Sequence, residues 1–192
     1  MVLRITQYDE PILRQAGGDV TVFDEKLAEL AEDMVDAMHG AEGIGLAAQQ
    51  VGKALRFCVV EIPHNPEHPM TCIFDGKPLN PDLLMPLALA NPEIEELPGD
   101  DMVYEEGCLS FPDIRGDVVR ADRVRVRYAD LQGTEHSLEC DGLLSRCIQH
   151  ETDHLEGILF IDRMEPEVLA EIKPDVKELK RLTKKARKKE PK

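Results

Sequence analysis

Apolar residues recur at helical spacing in three parts of this chain. Over residues 24–38 they fall three and four positions apart, which predicts an amphipathic helix with Asp24 as its N-cap. The same spacing predicts a second helix over residues 142–155, which Gly157 is placed to end. A third apolar stripe starts near Asp175 and continues into the C-terminal tail, so we expect a helix there as well.

Other segments carry the apolar pattern of β-strands. Residues 55–62 are rich in β-branched and apolar side chains, and residues 124–128 alternate between apolar side chains and arginines. Residues 135–140 can pair with the latter strand across a turn. Six prolines lie within residues 63–86, which favours a long surface excursion with little regular structure. Because strands and helices do not alternate strictly, we predict an α+β fold, with mixed or antiparallel sheets packed around a central helix and with N-terminal and C-terminal helices.

The charge of the chain is divided unevenly. All 192 residues together carry a formal charge of −15, yet residues 173–192 hold ten Lys or Arg against three Asp or Glu, a local charge of +7. The first 172 residues therefore carry −22, which argues against a nucleic-acid-binding body because such surfaces are basic. We expect a single domain over residues 1–172 and a basic helical tail over residues 173–192. The tail is either a frayed, solvated helix end or a segment that attracts phosphates.

The sequence carries no signal for membrane insertion or export. Its apolar runs are far shorter than the roughly 20 residues of a membrane-spanning helix. The N-terminal region has no apolar signal core, and Asp9 and Glu10 come early in it. The five cysteines are an odd number, which does not favour a disulfide framework. We therefore expect a cytoplasmic protein with no membrane partner.

The second predicted helix carries two histidines four residues apart. His150 and His154 lie on one helix face about one turn apart, so both imidazoles can reach one metal ion. Glu151, next to the first histidine, can act as general base toward a water on that metal. The alternative is a pair of ordinary histidines with a glutamate beside them by chance. The spacing favours the metal interpretation, and this HExxH helix is the expected centre of the fold.

A hydrolytic metal site needs a third protein ligand and one open position. Cys147 lies on the same helix face, but it is seven residues from His154, or about 10.5 Å along the axis at 1.5 Å per residue. That separation is too large for a shared ion, so we expect Cys147 to line the pocket beside the metal. Cys108, which follows the permissive Gly107, and a downstream glutamate such as Glu171 are both candidates for the third ligand.

A glycine-bearing loop over residues 43–50 is the third candidate feature. Its first six residues match the spacing of dinucleotide-binding loops, but such loops follow a strand and open a helix. Here a predicted helix precedes the loop and a predicted strand follows it. The loop either makes a tight helix-to-strand connection or lets a substrate backbone approach, with Gln50 offering an amide donor.

Together the three segments resemble the peptide deformylase family. Residues 43–50 match its glycine–alanine–glutamine loop, residues 106–110 match its glutamate–glycine–cysteine–leucine–serine segment, and residues 149–157 match its histidine–glutamate helix. The matches occur in the family's order and span most of the chain. The resemblance implies a metal-dependent hydrolase that removes the formyl group from the N-terminal formylmethionine of newly made proteins and releases formate.

The resemblance also implies roles for individual residues. Cys108, His150 and His154 are the metal ligands, with water as the fourth ligand. Glu151 is the acid and base, while Gln50 and the backbone N–H of Leu109 hold the formyl oxygen. The residues expected beside the substrate are Gly43, Ile44, Gly45, Gly107, Arg115, Arg146 and Cys147, and Arg120 and Asp153 are expected to pair next to the metal.

Selectivity for methionine needs an apolar pocket, and the candidates for its walls are Gly43, Gly45, Cys147, Ile148 and His150. Arg146 is a less obvious wall residue. We expect its stem to pack while its charged head reaches water. The family usually works with Fe²⁺, although Zn²⁺, Ni²⁺ or Co²⁺ can occupy the same ligands. Its substrates are nascent N-formylmethionyl peptides, and the basic tail at residues 173–192 is a candidate for docking on the ribosome.

Two other function classes remain open. A zinc-type endopeptidase would use Glu171 or another downstream carboxylate, instead of Cys108, as its third ligand. A non-enzymatic, ribosome-associated module would hold a structural metal. Structural sites normally close with four protein ligands, and only three are evident here, so this class is the weakest.

Overall fold

A computed structural model describes residues 3–67 and 69–188 of the chain. The described residues contain the helices α1 (Glu25–Gly40), α2 (Gly142–Leu155) and α3 (Pro166–Arg187). α1 begins where predicted, because the carboxylate of Asp24 accepts hydrogen bonds from the backbone N–H groups of Lys26 and Leu27. α2 has the predicted bounds. Gly157 follows it in the left-handed conformation, at φ 72°, which is typical of a residue that ends a helix.

The strands form two antiparallel sheets. In chain order they are β1 (Gly45–Ala47), β2 (Phe57–Val60), β3 (Cys72–Phe74), β4 (Lys77–Pro78), β5 (Leu87–Glu96), β6 (Asp101–Cys108), β7 (Phe111–Ala121), β8 (Val124–Ala129) and β9 (Glu135–Cys140). Seven of them form one sheet in the order β1-β2-β5-β8-β9-β3-β4, while β6 and β7 form a separate hairpin. Every pairing in both sheets is antiparallel, so the predicted α+β class is confirmed.

The large sheet is covered by a helix on each face. Along β2, Cys58 and Val60 belong to the apolar cluster around α2, whereas Phe57 and Val59 belong to the cluster around α1. This alternation follows from the period of two in a strand, and it explains why β2 is apolar throughout. α2 is deeply enclosed, with eleven of its 14 residues buried. A third apolar cluster joins the hairpin to α3.

Residues 63–86 are more ordered than the sequence predicted. They contain β3 and β4, which extend the large sheet to its edge, and a short 3-10 helix at Pro81–Leu83. Cys72 of β3 lies opposite Cys140 of β9, so the segment returns to the sheet instead of forming an irregular excursion. The prolines did not prevent this because an edge strand such as β4 tolerates a residue that has no N–H to donate.

The third helix is longer than predicted. It begins at Pro166 and continues through Pro174. Proline suits the first turn because it has no N–H, and an N–H at that position would have no partner within the helix. It is helical to Arg187, and the ammonium groups of Lys180 and Lys184 lie 3.0 and 3.8 Å from the carboxylate of Asp9. Residue 173, where the charge changes sign, thus lies inside α3. Residues 189–192 of the predicted tail are outside the described range.

Some strands had no counterpart among the predictions. Besides β3 and β4, these are β5 and both strands of the hairpin, and the loop at residues 43–50 also contributes β1 and part of a 3-10 helix at Ala48–Val51. In the described part of the chain, none of the helices is both long enough and apolar enough to span a bilayer.

Candidate metal centre and active site

Three side chains of metal-ligating type converge between the hairpin and α2. His150 and His154 project from successive turns of α2, with ring centroids 5.0 Å apart. Cys108 ends β6, and its Sγ lies 3.3 Å from Nε2 of His154. One donor atom from each of the three lies within 4.8 Å of the other two. Among the described residues, this is the one group of three or more such side chains that could hold a metal ion. Glu171 is exposed on α3 and does not take part.

This donor set fits a divalent transition metal. A thiolate and two imidazoles are ligands that such ions accept, and three protein ligands leave a coordination position open. Two buried polar atoms at the site, Oε2 of Glu151 and Nδ1 of His154, find no hydrogen-bond partner among the described residues. Buried polar atoms are normally satisfied, so the Glu151 oxygen in particular suits a site that also holds water or substrate.

Glu151 is buried between α2 and β1. Its residue is 3% exposed, and burial raises the pKa of its carboxyl group to about 7. A Cβ built on Gly45 would lie 2.7 Å from Sγ of Cys147 and 2.8 Å from Cδ of Glu151, so only a glycine leaves room for both side chains. A carboxyl group with a pKa near neutrality can both accept and donate a proton at the pH of a cell.

A second carboxylate, Glu106, contacts the back of His150. Its Oε2 lies 3.0 Å from Nδ1 of His150, and it also accepts hydrogen bonds from Arg120 and Arg146. Burial raises the pKa of Glu106, but the hydrogen bonds from His150 and Arg120 outweigh burial and lower it to about 2. No pattern in the sequence had indicated a role for Glu106. The signal that could have found it is that a metal-binding histidine needs an acceptor for its second ring nitrogen.

The predicted partner residues Arg120 and Asp153 are in contact, with NH1 of Arg120 2.8 Å from Oδ2 of Asp153. The prediction for Arg146 was wrong in one respect. Its guanidinium does not reach water, because it donates to Glu106 and to the backbone oxygens of Val118 and Met102. Those acceptors belong to the hairpin, which the sequence pattern did not predict.

A cavity of about 690 Å³ opens beside the three metal-ligating side chains. It runs between the loop before β1 on one side and the hairpin on the other. It is lined by Gly43, Ile44, Gly45, Gln50, Gly107, Leu109, Arg115, Arg146, Cys147 and His150, which are all the residues predicted to touch the substrate or formyl oxygen except one. The exception is Ile148, which is fully buried in the apolar cluster around α2 and does not line the cavity. A second cavity, of about 720 Å³, lies on the other side of α2 and contains none of the three donor residues.

Gln50 is held in a fixed orientation at the cavity wall. Its Oε1 accepts a hydrogen bond of 2.8 Å from the backbone N–H of Ala47. Because the carbonyl end of the amide is fixed in this way, the NH₂ end points toward Cys108 Sγ and Ser110 Oγ, at 3.4 and 3.3 Å. Arg115, in contrast to Gln50, lies at the rim of the cavity. Its side chain is 64% exposed, and its guanidinium lies 4.0 Å from the carboxylate of Glu105.

Comparisons with known proteins agree on one family. The polypeptide deformylase family model matches residues 2–169. The peptide deformylase of Opitutus terrae is 51% identical over 192 residues, which is all of both chains, and that of Methylacidiphilum infernorum is 41% identical over 94% of each.

Solved structures give the same result. A plant peptide deformylase superposes with a TM-score of 0.81 at 35% identity, covering 96% of this chain and 92% of that one. The peptide deformylase of Synechococcus elongatus, solved in complex with actinonin, superposes with a TM-score of 0.76 at 38% identity, covering 90% of this chain and 85% of that one.

Proposed function

This chain belongs to the peptide deformylase family, and from that premise we propose that Cys108, His150 and His154 hold its catalytic metal. The protein is a metal-dependent hydrolase that removes the N-formyl group from the N-terminal formylmethionine of newly made peptides and releases formate. The observation that carries the assignment of the ligands is the convergence of one thiol and two imidazoles beside a buried glutamate.

Glu151 is the proton carrier of the proposed reaction. A divalent metal acts as a Lewis acid, which polarises a carbonyl oxygen and makes water easier to deprotonate. The Glu151 carboxylate accepts a proton from the water that attacks the formyl carbon. It then gives that proton to the nitrogen of the leaving amine, so that the C–N bond breaks and formate and a free N-terminus result. Burial raises the pKa of this carboxyl group above its ordinary value, which favours its taking up the proton.

Two donors are proposed to hold the formyl oxygen as it gains negative charge. One is the amide Nε2 of Gln50, which the Ala47 N–H orients by holding the other end of the side chain. The other is the backbone N–H of Leu109, in the turn that follows Cys108. Donors that are fixed before the reaction stabilise developing charge without reorganising, and this is how they lower the barrier.

The peptide is proposed to bind as an added strand. β1 is an edge strand of the large sheet, which leaves one side of it open for backbone hydrogen bonding, and Ile44 and Gly107 flank the cavity. Gly43, Gly45, Arg146 and Cys147 would surround the methionine side chain. The exposed guanidinium of Arg115 would meet the more distant part of the peptide.

For the metal we propose Fe²⁺, with Zn²⁺, Ni²⁺ or Co²⁺ able to occupy the same ligands. A reducing cytoplasm suits this choice, since a thiolate-ligated ferrous site must escape oxidation. All five cysteines are free thiols, as a cytoplasmic protein would have them.

Docking on the ribosome is proposed for the basic surface of α3. Lys177 and Lys185 are exposed on it and Lys188 is exposed directly after it, whereas Lys180 and Lys184 are paired with Asp9. Replacing the three exposed lysines by glutamine should weaken co-sedimentation with ribosomes at low salt while leaving the Asp9 contacts in place. Unchanged co-sedimentation would remove the docking proposal and leave the hydrolase untouched.

The ligand assignment is tested by metal content. Cys108→Ser should lose most of its bound metal, whereas Cys72→Ser, which changes a buried thiol in β3, should keep it. Metal can be measured by elemental analysis of protein purified anaerobically. A Cys108→Ser protein with full metal content and activity would contradict the assignment and would instead favour a carboxylate as third ligand.

A further inference from the structure

The N-terminal segment ahead of α1 passes between the two parts of the chain that carry the proposed donors to the formyl oxygen. One part is the 3-10 helix at Ala48–Val51, which contains Gln50. The other is the turn at Leu109 and Ser110, which joins β6 to β7. Residues 6–8, which we call the N-terminal strap, contact both parts. No sequence motif includes the strap, so its contacts are the first indication of a role for it.

Thr6 binds the first of the two parts. Its backbone N–H donates a hydrogen bond of 2.7 Å to the carbonyl oxygen of Gln50, and its hydroxyl donates one of 3.1 Å to the carbonyl oxygen of Gln49. Thr6 is 3% exposed, so water does not compete for these bonds. The backbone of the residue that carries the amide donor is therefore fixed by the strap.

The other two residues of the strap bind the second part. The backbone N–H of Tyr8 donates a hydrogen bond of 2.9 Å to the carbonyl oxygen of Ser110, and Nε2 of Gln7 donates one of 3.4 Å to that of Leu109. Gln50 and Ser110 also meet directly, at 3.3 Å, but through the amide that has to serve the formyl oxygen. The strap adds a link that leaves this amide free.

The strap is itself held in place by the hairpin and by α3. The ring of Tyr8 packs on that of Phe111, the first residue of β7, with centroids 4.6 Å apart. Asp9, which follows the strap, is paired with Lys180 and Lys184 of α3. These contacts give the strap a fixed position from which it can hold the two donor-bearing parts.

The spacing of the two donors matters because both must meet one oxygen atom. A hydrogen bond needs a separation of about 2.7–3.2 Å, and groups in an active site have to be held within about 0.5 Å of the productive geometry. Gln50 and Leu109 belong to separate elements that are far apart in the sequence. Their spacing therefore depends on whatever ties those elements together.

We propose that the N-terminal strap is a positioning segment: by binding the backbones of Gln50 and Ser110, it sets the spacing between the two donors to the formyl oxygen. The proposal rests on the proposed function of Gln50 and of the Leu109 N–H. The competing explanation is that the strap only stabilises the fold, as any buried hydrogen-bonded segment does. The two explanations differ in what they predict for kcat in variants that fold normally.

The first test removes one backbone donor from the strap. Replacing Tyr8 by its α-hydroxy acid, introduced by nonsense suppression, turns the N–H that binds Ser110 into an ester oxygen and keeps the side chain. We expect kcat for formate release from formyl-Met-Ala-Ser to fall about 10- to 100-fold, at or below the loss caused by removing a donor outright. KM should stay within about threefold, because the donors act mainly on charge that develops in the transition state.

The matched control is the same ester at Leu97. Its N–H donates a hydrogen bond of 3.0 Å to the carbonyl oxygen of Arg123, and neither residue lines the active-site cavity. Urea unfolding should show a similar loss of stability in both ester variants, since each loses one backbone hydrogen bond. The Leu97 variant should keep kcat within about twofold of the wild type.

Thr6 provides a second test by ordinary mutagenesis. Thr6→Val keeps the shape of the side chain but removes the hydroxyl that binds Gln49. It should lower kcat by about 3- to 10-fold, a smaller loss because the backbone bond to Gln50 remains. Thr6→Ser, which keeps the hydroxyl, should restore kcat to within about twofold of the wild type.

A readout that does not depend on turnover completes the test. In Zn²⁺-loaded, ¹⁵N-labelled protein, the order parameter of the Leu109 N–H should be near 0.85, typical of rigid backbone, and should fall toward about 0.6 in the Tyr8 ester variant alone. An unchanged kcat in that variant, or equal losses of kcat in both ester variants, would overturn the proposal. A wild type that releases no formate would instead count against the proposed function, while the order parameters would still report whether the strap fixes Leu109.

Discussion

Gly45 and Glu151 lie so close that no side chain fits between them. A Cβ built on Gly45 would come within 2.8 Å of Cδ of Glu151 and nearer still to Oε1, and within 2.7 Å of Sγ of Cys147. The backbone of β1 is therefore one wall of the pocket in which the Glu151 carboxylate is buried. The glycine in this strand reflects the position of a side chain on α2, not a requirement of the strand itself.

Gly45→Ala should therefore damage catalysis more than folding. The added methyl group would displace the Glu151 carboxylate, and a displacement of about 1 Å in a catalytic group can reduce the rate about 100-fold. Formate release and metal content should be measured together, with the metal content expected to stay full. Gly40→Ala is the control, since a Cβ there meets no heavy atom within 4 Å. Equal rates for the two variants would contradict the account.

Removal of the metal should destabilise the protein without unfolding it. Cys108 belongs to the hairpin and both histidines belong to α2, so a shared ion adds a link between two elements that hydrogen bonds from α2 side chains to the hairpin backbone already join. With free metal at 1,000 times its dissociation constant, binding adds about 4 kcal/mol to the free energy of unfolding. A chelator should lower the thermal midpoint while the far-ultraviolet circular dichroism is preserved, and Zn²⁺ should restore it. An unchanged midpoint would show that no ion links the two elements.

The sequence predicted α2 and its bounds because three local signals agree there: helical spacing of apolar residues, a histidine pair one turn apart, and a terminating glycine. The hairpin was not predicted because Asp101–Glu105 of β6 is exposed throughout. A strand segment without a buried face need not show the alternation of apolar and polar residues from which strands are predicted. Glu106 escaped for another reason. Its partners Arg120 and Arg146 lie 14 and 40 residues away in the chain, and no local pattern records such contacts. The orientation of Arg146 could not be predicted either, because it depends on acceptors in the hairpin.

Gly157 and Gly52 provide a test of what glycine contributes at two helix ends. Both have positive φ, at 72° and 78°, but a Cβ on Gly157 would lie 2.8 Å from the backbone of Arg14, whereas one on Gly52 meets nothing within 4 Å. Gly52→Ala should lower the free energy of unfolding by about 1–2 kcal/mol through backbone strain alone. Gly157→Ala should lose about 1–3 kcal/mol more because of the clash. Urea unfolding measures both, and equal losses would argue against the close approach.

His136 should make the stability depend on pH. Burial lowers the pKa of its imidazole, but hydrogen bonds to Asp75 and Asp130 outweigh burial and raise it above its ordinary value. Because the folded-state pKa is the higher one, this stabilisation is complete below the unfolded pKa of about 6.5 and is lost as the pH rises through the folded value. The wild type should therefore exceed His136→Gln in free energy of unfolding by about 0.2–1 kcal/mol more at pH 6 than at pH 8.5. A difference between the two proteins that does not change with pH would contradict this assignment.

The central claim is that a metal held by Cys108, His150 and His154 acts together with Glu151 to remove a formyl group. The most direct measurement is formate release from the peptide formyl-Met-Ala-Ser by anaerobically handled, Fe²⁺-loaded protein, compared between the wild type and Glu151→Ala. The account predicts rapid release by the wild type and a loss of about 10³-fold or more in the variant, with its metal content retained. Absence of formate release by the metal-loaded wild type, or an active Glu151→Ala protein, would contradict it.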